Sequence, residues 1–105
     1  MVSTLILFGH PVDQAAFEKH FAEIHRPLLL GIPRLEKLQV QRVAGAAKGD
    51  APFHMVVVAQ FDSEQAMQEG LTSEEGQVLA RDMGLFASGG VTVLFCQTTM
   101  EPLNT

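Results

Sequence analysis

Three short segments of this 105-residue chain are apolar at successive positions, odd and even alike. In Val2 to Phe8, Ile6 and Phe8 alternate with Leu5 and Leu7; in Phe53 to Phe61, Met55, Val57 and Ala59 alternate with Val56 and Val58. In Val91 to Gln97, Val91, Val93 and Phe95 alternate with Leu94 and Cys96. Neighbouring side chains of a strand point to opposite faces, so a strand with one wet face is apolar only at every second residue. These three strands therefore need cover on both sides. A lipid bilayer cannot supply it, because the longest apolar run, Met55 to Ala59, falls far short of the roughly 20 residues of a membrane span.

The segments between them read as helices and one further strand. Gly9-His10-Pro11 stops the first strand, Asp13 is placed as an N-cap, and Phe17, Phe21, Ile24 and Leu28 then recur at helical spacing. Pro27 lacks an N–H and crowds the carbonyl four residues back, which predicts a kink near Glu23 to Pro27 or an end soon after, before Gly31-Ile32-Pro33. Leu35 to Ala44 reads as an edge strand, with Leu38 and Val40 on one side and Lys37, Gln39 and Gln41 on the other. Ala46 to Pro52 is a turn. A helix follows from about Ser63 to Gly70, with Asp62 or Ser63 as cap. A second starts at Ser73, carries Val78, Leu79, Met83 and Phe86 inward, and ends at Gly89-Gly90; Thr98 to Thr105 is a polar tail.

The order βαββαβ predicts an α+β ferredoxin-like protomer over residues 1–105, a four-stranded antiparallel sheet with helices on one face. Helices on one face leave the other apolar face bare, so the expected partner is a second copy, in a homodimer that packs sheet against sheet. Twelve acidic against seven basic residues repel a phosphate backbone, so no nucleic-acid partner is expected. A lone cysteine and an N-terminus whose first basic residue is Lys19 give no export signal, which predicts a cytoplasmic protein without a membrane partner.

Four histidines dominate the inventory for chemistry. On an α-helix His25 lies roughly 80° from the centre of the apolar stripe, where a half-buried imidazole can serve as general acid or base, or bond a carbonyl freed by Pro27. His20 falls roughly 140° from His25, so the two are not expected to share a metal, and no metal site is expected. His10 is placed at the mouth of a pocket between sheet and helices, and His54 at the wet end of its strand. Cys96 reads as an inert strand residue, and Met55, Met67 and Met83 as core fillers. Glu64, Glu69, Glu74 and Glu75 read as a solvated face, and Gly89-Gly90 lacks phosphate-loop spacing.

Taken in order, several pieces resemble the EthD-like proteins of the dimeric α/β-barrel superfamily. They are Gly9-His10-Pro11, Phe17, His25-Arg26-Pro27-Leu28, Gly31-Ile32-Pro33, Phe61-Asp62-Ser63, Leu71 to Gly76, Asp82 and Phe86, which span nearly the whole chain. The resemblance implies a ferredoxin-like protomer dimerising into a barrel, within a superfamily that includes cofactor-free monooxygenases, muconolactone isomerases and haem-binding enzymes. His25 matches the histidine of the family's His-x-Pro motif and Asp82 an acidic position of its second helical region. His20 stands where many members carry a tyrosine.

Two functions follow as expectations. One is an enzyme, a cofactor-independent oxidoreductase or isomerase, holding a small apolar or aromatic molecule in a pocket lined by Phe8, Phe21, Phe86 and His10. There His25 shuttles a proton and Asp82 orients its ring. The other is a non-catalytic ligand-binding or accessory protein of an oxidoreductase system. No cofactor is expected, with a haem-binding variant through His25 or His10 in third place.

Overall fold

The computed structural model describes residues 1–103; Asn104 and Thr105 of the expected polar tail lie outside the described residues. Strand β1, Val2–Phe8, ends where Gly9 and Pro11 turn the chain. The Asp13 carboxylate accepts from the Ala16 N–H at 3.0 Å and starts α1, Gln14–His20. The helix ends at Leu30, before Gly31, as expected, and its irregularity lies just ahead of Pro27. It widens into a single π-helical turn, Phe21–His25, closed by the Arg26 N–H donating to the Phe21 carbonyl five residues back, and resumes as α2, Arg26–Leu30. Pro27 then sits in the first turn of α2, where a missing N–H is tolerated.

That turn changes which residues face inward. Regular helical phasing puts Phe17, Phe21, Ile24 and Leu28 on one stripe; the structure buries Phe17, Phe21, His25 and Leu29 and leaves Ile24 47% exposed. An i→i+5 bond adds one residue to a turn, so every position after it shifts by one. His25 is therefore not on the flank of the buried face but at its centre, with no exposure at all.

Strand β2 is Leu35–Arg42 and β3 is Met55–Phe61, each shorter than its sequence pattern suggests. Ser63 caps α3, Glu64–Thr72, which runs two residues past the expected Gly70, and Ser73 caps α4, Glu74–Phe86. Strand β4 is Val91–Gln97. The four strands pair antiparallel in the order β2-β3-β1-β4, the α+β ferredoxin-like arrangement, with β2 at one edge as expected. One face carries the core: Ile6, Phe8, Val57 and Phe61 from the sheet against Phe17, Phe21, Leu29, Met67, Leu79 and Met83 from the helices. Each fully buried phenylalanine there contributes about 2–3 kcal/mol.

Among the described residues no helix lies over the opposite face. Leu5 pairs with Val58 and Leu94, and Leu7 with Val56 and Thr92, which sets five apolar side chains in one patch. Strand β4 departs from its neighbours on the helical side too, where Val93 is 41% and Phe95 64% exposed. The cause is composition: Ala80 and Gly84 of α4 line the side toward β4, and side chains this short leave a groove open above the strand. At the end of α4 the chain crosses β1 with no room to spare. A Cβ on Gly89 would land on the His10 carbonyl, and one on Gly9 on the Gly89 carbonyl, so the two loops meet backbone to backbone.

Candidate active site: a carboxylate shared by two histidines

The π turn brings together what an unbroken α-helix would hold apart. Residues five apart stack on such a turn, so His20 and His25 project to the same side, toward Asp82 of α4. His25 Nδ1–H donates to Asp82 Oδ2 at 2.8 Å, and His20 Nε2–H donates to Oδ1 at 2.8 Å and Oδ2 at 3.1 Å. The angular separation expected between the two histidines is thus overturned by the turn between them.

The environments of the two rings differ. His25 is sealed among Phe8, Phe21 and Phe86, with ring centroids 6.0, 5.9 and 4.7 Å away, and its Nε2 is buried without a partner among the described residues. The His20 side chain is 27% exposed and stacks on Phe86 at 4.6 Å. It borders a cleft of about 310 Å³ whose other walls include Val12, Ala16, Phe17, Phe86 and Ser88. Because Asp82 occupies Nε2, Nδ1 is the nitrogen of His20 left for a ligand. Ser88 Oγ accepts from the Val12 N–H at 3.0 Å and ties the cleft wall to the Gly9/Gly89 crossing.

Five of the six expected site residues meet in space, but as solid packing around His25. Phe8 and Phe21 are almost wholly buried, at 0% and 1%, and only Phe86 reaches the cleft. His10 stands apart and exposed, its Nε2–H donating to the Ala51 carbonyl at 2.7 Å. His54 is not at a wet end: it is 9% exposed, packs on Phe17, and its Nε2–H donates to Glu18 at 2.7 Å. Arg42 also grips Glu18, and this hydrogen bond holds the Glu18 carboxyl below its ordinary value. His20 is the member that sequence reasoning missed; the signal was a histidine pair five apart, the second of them two residues ahead of a proline.

Burial pushes the His25 imidazole below its ordinary 6.5, and the hydrogen bond and charge of Asp82 offset only part of this. The folded chain therefore refuses a proton that the unfolded chain takes up as pH falls through about 6.5. The associated stability is complete above that pH and is lost progressively below it, down to the folded value. Urea unfolding is expected to show a lower midpoint at pH 5.5 than at 7.5, and His25→Asn to shrink the difference. Equal midpoints in the wild-type protein would remove this role for His25.

Fold and site together define a ferredoxin-like α+β protein with a histidine–carboxylate–histidine centre. The EthD domain model matches residues 9–90, and the chain belongs to the EthD domain family. An uncharacterized 11.0 kDa protein in the thcB-thcC intergenic region of Rhodococcus erythropolis is 33% identical over 95 residues, covering 90% of this chain and 92% of that protein. An ethyl tert-butyl ether d (EthD) family protein from Bacillus halodurans has a TM-score of 0.89 and 27% identity, over 94% of this chain and 99% of the other. A dimeric ferredoxin-like protein of unknown function from Thermobifida fusca has a TM-score of 0.67 at 15% identity, over 90% and 87%. SnoaB, a cofactor-independent oxygenase from Streptomyces nogalater, has a TM-score of 0.69 at 15% identity, over 95% and 94%. At 15% identity the last two show shared fold only.

Proposed function

We propose that the protein binds a small apolar or aromatic molecule in the cleft beside His20 and converts it by proton transfer. The observation that carries this reading is the Asp82 carboxylate held between one sealed imidazole and one that faces the cleft. A carboxylate accepting from Nε2–H fixes the tautomer that leaves Nδ1 basic, and it steadies the imidazolium formed when Nδ1 takes a proton. In this reading His20 exchanges the proton, and His25 holds the carboxylate in place from inside. Val12, Ala16, Phe17 and Phe86 supply apolar and aromatic walls of a size suited to one or two rings.

Removal of a proton from carbon and its return at another carbon is an isomerisation. The same carbanion, oxidised by dioxygen, gives cofactor-independent oxidation, and an oxygenase of that kind on the same fold supports the second branch. The test is incubation in D₂O with a panel of aromatic and alicyclic carbon acids, read by mass spectrometry, with oxygen uptake followed in parallel. His20→Gln is expected to lower turnover of a responding compound about 100-fold or more while the protein stays folded. A His20→Gln protein as active as wild type would sink the assignment.

The alternative, a non-catalytic ligand-binding or accessory protein of an oxidoreductase system, is favoured by the groove above β4, whose lining includes no titratable side chain. Under either function we propose a homodimer joined through the bare sheet face, on the strength of the patch formed by Leu5, Leu7, Val56, Val58 and Leu94 and of a dimeric neighbour. Leu7→Glu places a charge from each copy in that contact and is expected to shift sedimentation from dimer to monomer. A wild-type monomer at micromolar concentration would overturn the proposal.

A further inference from the structure

Three polar side chains line the His20 cleft among its apolar and aromatic walls, those of Asp13, His20 and Ser88. Asp13 is a carboxylate that can only accept, and its Oδ1 already takes the Ala16 N–H at 3.0 Å. His20 gives its Nε2–H to Asp82 and keeps Nδ1 as a base. The exposed Ser88 is the donor. Its Oγ accepts from the Val12 N–H at 3.0 Å and gives its own hydrogen to no protein acceptor among the described residues. The backbone holds that hydroxyl in place: the Ser88 N–H donates to the Phe86 carbonyl at 2.8 Å, and the Gly9/Gly89 crossing follows directly. Phe86, two residues earlier, carries the His20 ring stacked at 4.6 Å, so base and donor border one space of about 310 Å³.

A proton taken from carbon leaves an electron pair that needs an acceptor, and a carbonyl beside that carbon is one. The C–H bond breaks and its hydrogen passes to His20 Nδ1 as a proton. The electron pair forms a C=C bond, and the carbonyl π pair moves onto oxygen, giving an enolate. A donor to that oxygen binds the enolate more strongly than the ketone, which is the condition for lowering the barrier. Anions match the cleft poorly, because no lysine or arginine lines it and Asp13 does.

We propose that the cleft takes a neutral carbonyl compound with an enolisable C–H, and that Ser88 Oγ–H donates to the carbonyl oxygen while His20 takes the proton. The proposal rests on the reading of His20 as proton acceptor and adds to it the substrate class and a second catalytic residue. 2-Tetralone, a neutral two-ring ketone, is the exchange probe in D₂O. The binding probes are 2-naphthol, planar like an enol, 2-methylnaphthalene, in which a methyl replaces the hydroxyl, and the anion 2-naphthoate. Their binding to the full-length protein is followed at the methyls of Val12 and Ala16. Wild type is expected to bind 2-naphthol about fivefold to tenfold more tightly than 2-methylnaphthalene, and 2-naphthoate least tightly. Ser88→Ala is expected to erase that preference, to leave 2-methylnaphthalene as in wild type, and to slow exchange about tenfold or more. Ser88→Thr, which keeps the hydroxyl, is expected to restore both.

If Ser88→Ala exchanges as fast as wild type while His20→Gln is slow, Ser88 has no part in the step and proton transfer by His20 stands. Wild-type exchange no faster than in buffer defeats the His20 reading and with it the step drawn here, while the binding probes decide separately whether Ser88 holds the oxygen. That contact is overturned by a wild type without preference for 2-naphthol, by a preference that survives in Ser88→Ala, or by equal weakening of both neutral probes in that variant. Binding of 2-naphthoate as tight as that of 2-naphthol overturns the neutral substrate class.

Discussion

Asp82→Ala is expected to lower the melting temperature by roughly 10 to 20 °C, more than loss of one carboxylate would suggest. The carboxylate receives donors from two rings, and one ring cannot turn to water. Without Asp82, the His25 Nδ1–H is left unpartnered beside an Nε2 that already lacks a partner, so the ring is buried with neither nitrogen satisfied, and the newly orphaned group alone costs about 1–3 kcal/mol. His20 loses little by comparison, because its side chain can find solvent. His20→Ala should therefore cost about 1 kcal/mol or less, and Asp82→Asn, which still accepts from one ring, should fall between the two. Thermal unfolding of the three variants checks the order. An Asp82→Ala protein within 1 kcal/mol of wild type would mean that the core adapts to His25 by other means.

Gly89→Ala is the second large effect. The added methyl would meet the His10 carbonyl and the Gly9 backbone, and backbone cannot rotate away as a side chain can. A cost of about 3 kcal/mol is expected, the upper range for overpacking, together with displaced amide resonances at Val12 and Ser88, which the crossing holds against the cleft. Gly84→Ala is the matched control. Its Cβ has open space in the groove above β4, so the helix should gain up to about 1 kcal/mol from the better helix former. Equal stabilities for the two alanine variants would contradict the packing at the crossing.

Much of the fold was legible because it rests on local signals. Asp13, Ser63 and Ser73 cap as their side chains dictate, and the alternation in β1 and β3 marks a sheet that is apolar on both faces. The site was legible in part. His25 and Asp82 do meet, yet the partner that reaches the cleft is His20, and a uniform helical period hides it. Pro27 announced an irregularity but not its form, since a kink, a stop and a widened turn all relieve a missing N–H. Nor does an aromatic set such as Phe8, Phe21 and Phe86 reveal whether it closes on itself or leaves room. That depends on volumes contributed elsewhere, by Ala80 and Gly84, which open their groove on the other flank of α4.

The single π-helical turn also constrains how this protein can change. It works as a one-residue vernier between the halves of the first helix: His20 is indexed by the half before it, and Leu29 by the half after it. Deleting any residue of Phe21 to His25 would restore an even helix and close that offset, and either the aromatic core or the grip on Asp82 would lose its register. Substitutions can tune the two imidazoles one at a time, but an insertion or deletion moves hydrophobic core and reactive centre together. In this stretch the chain inherits its chemistry and its packing as one unit.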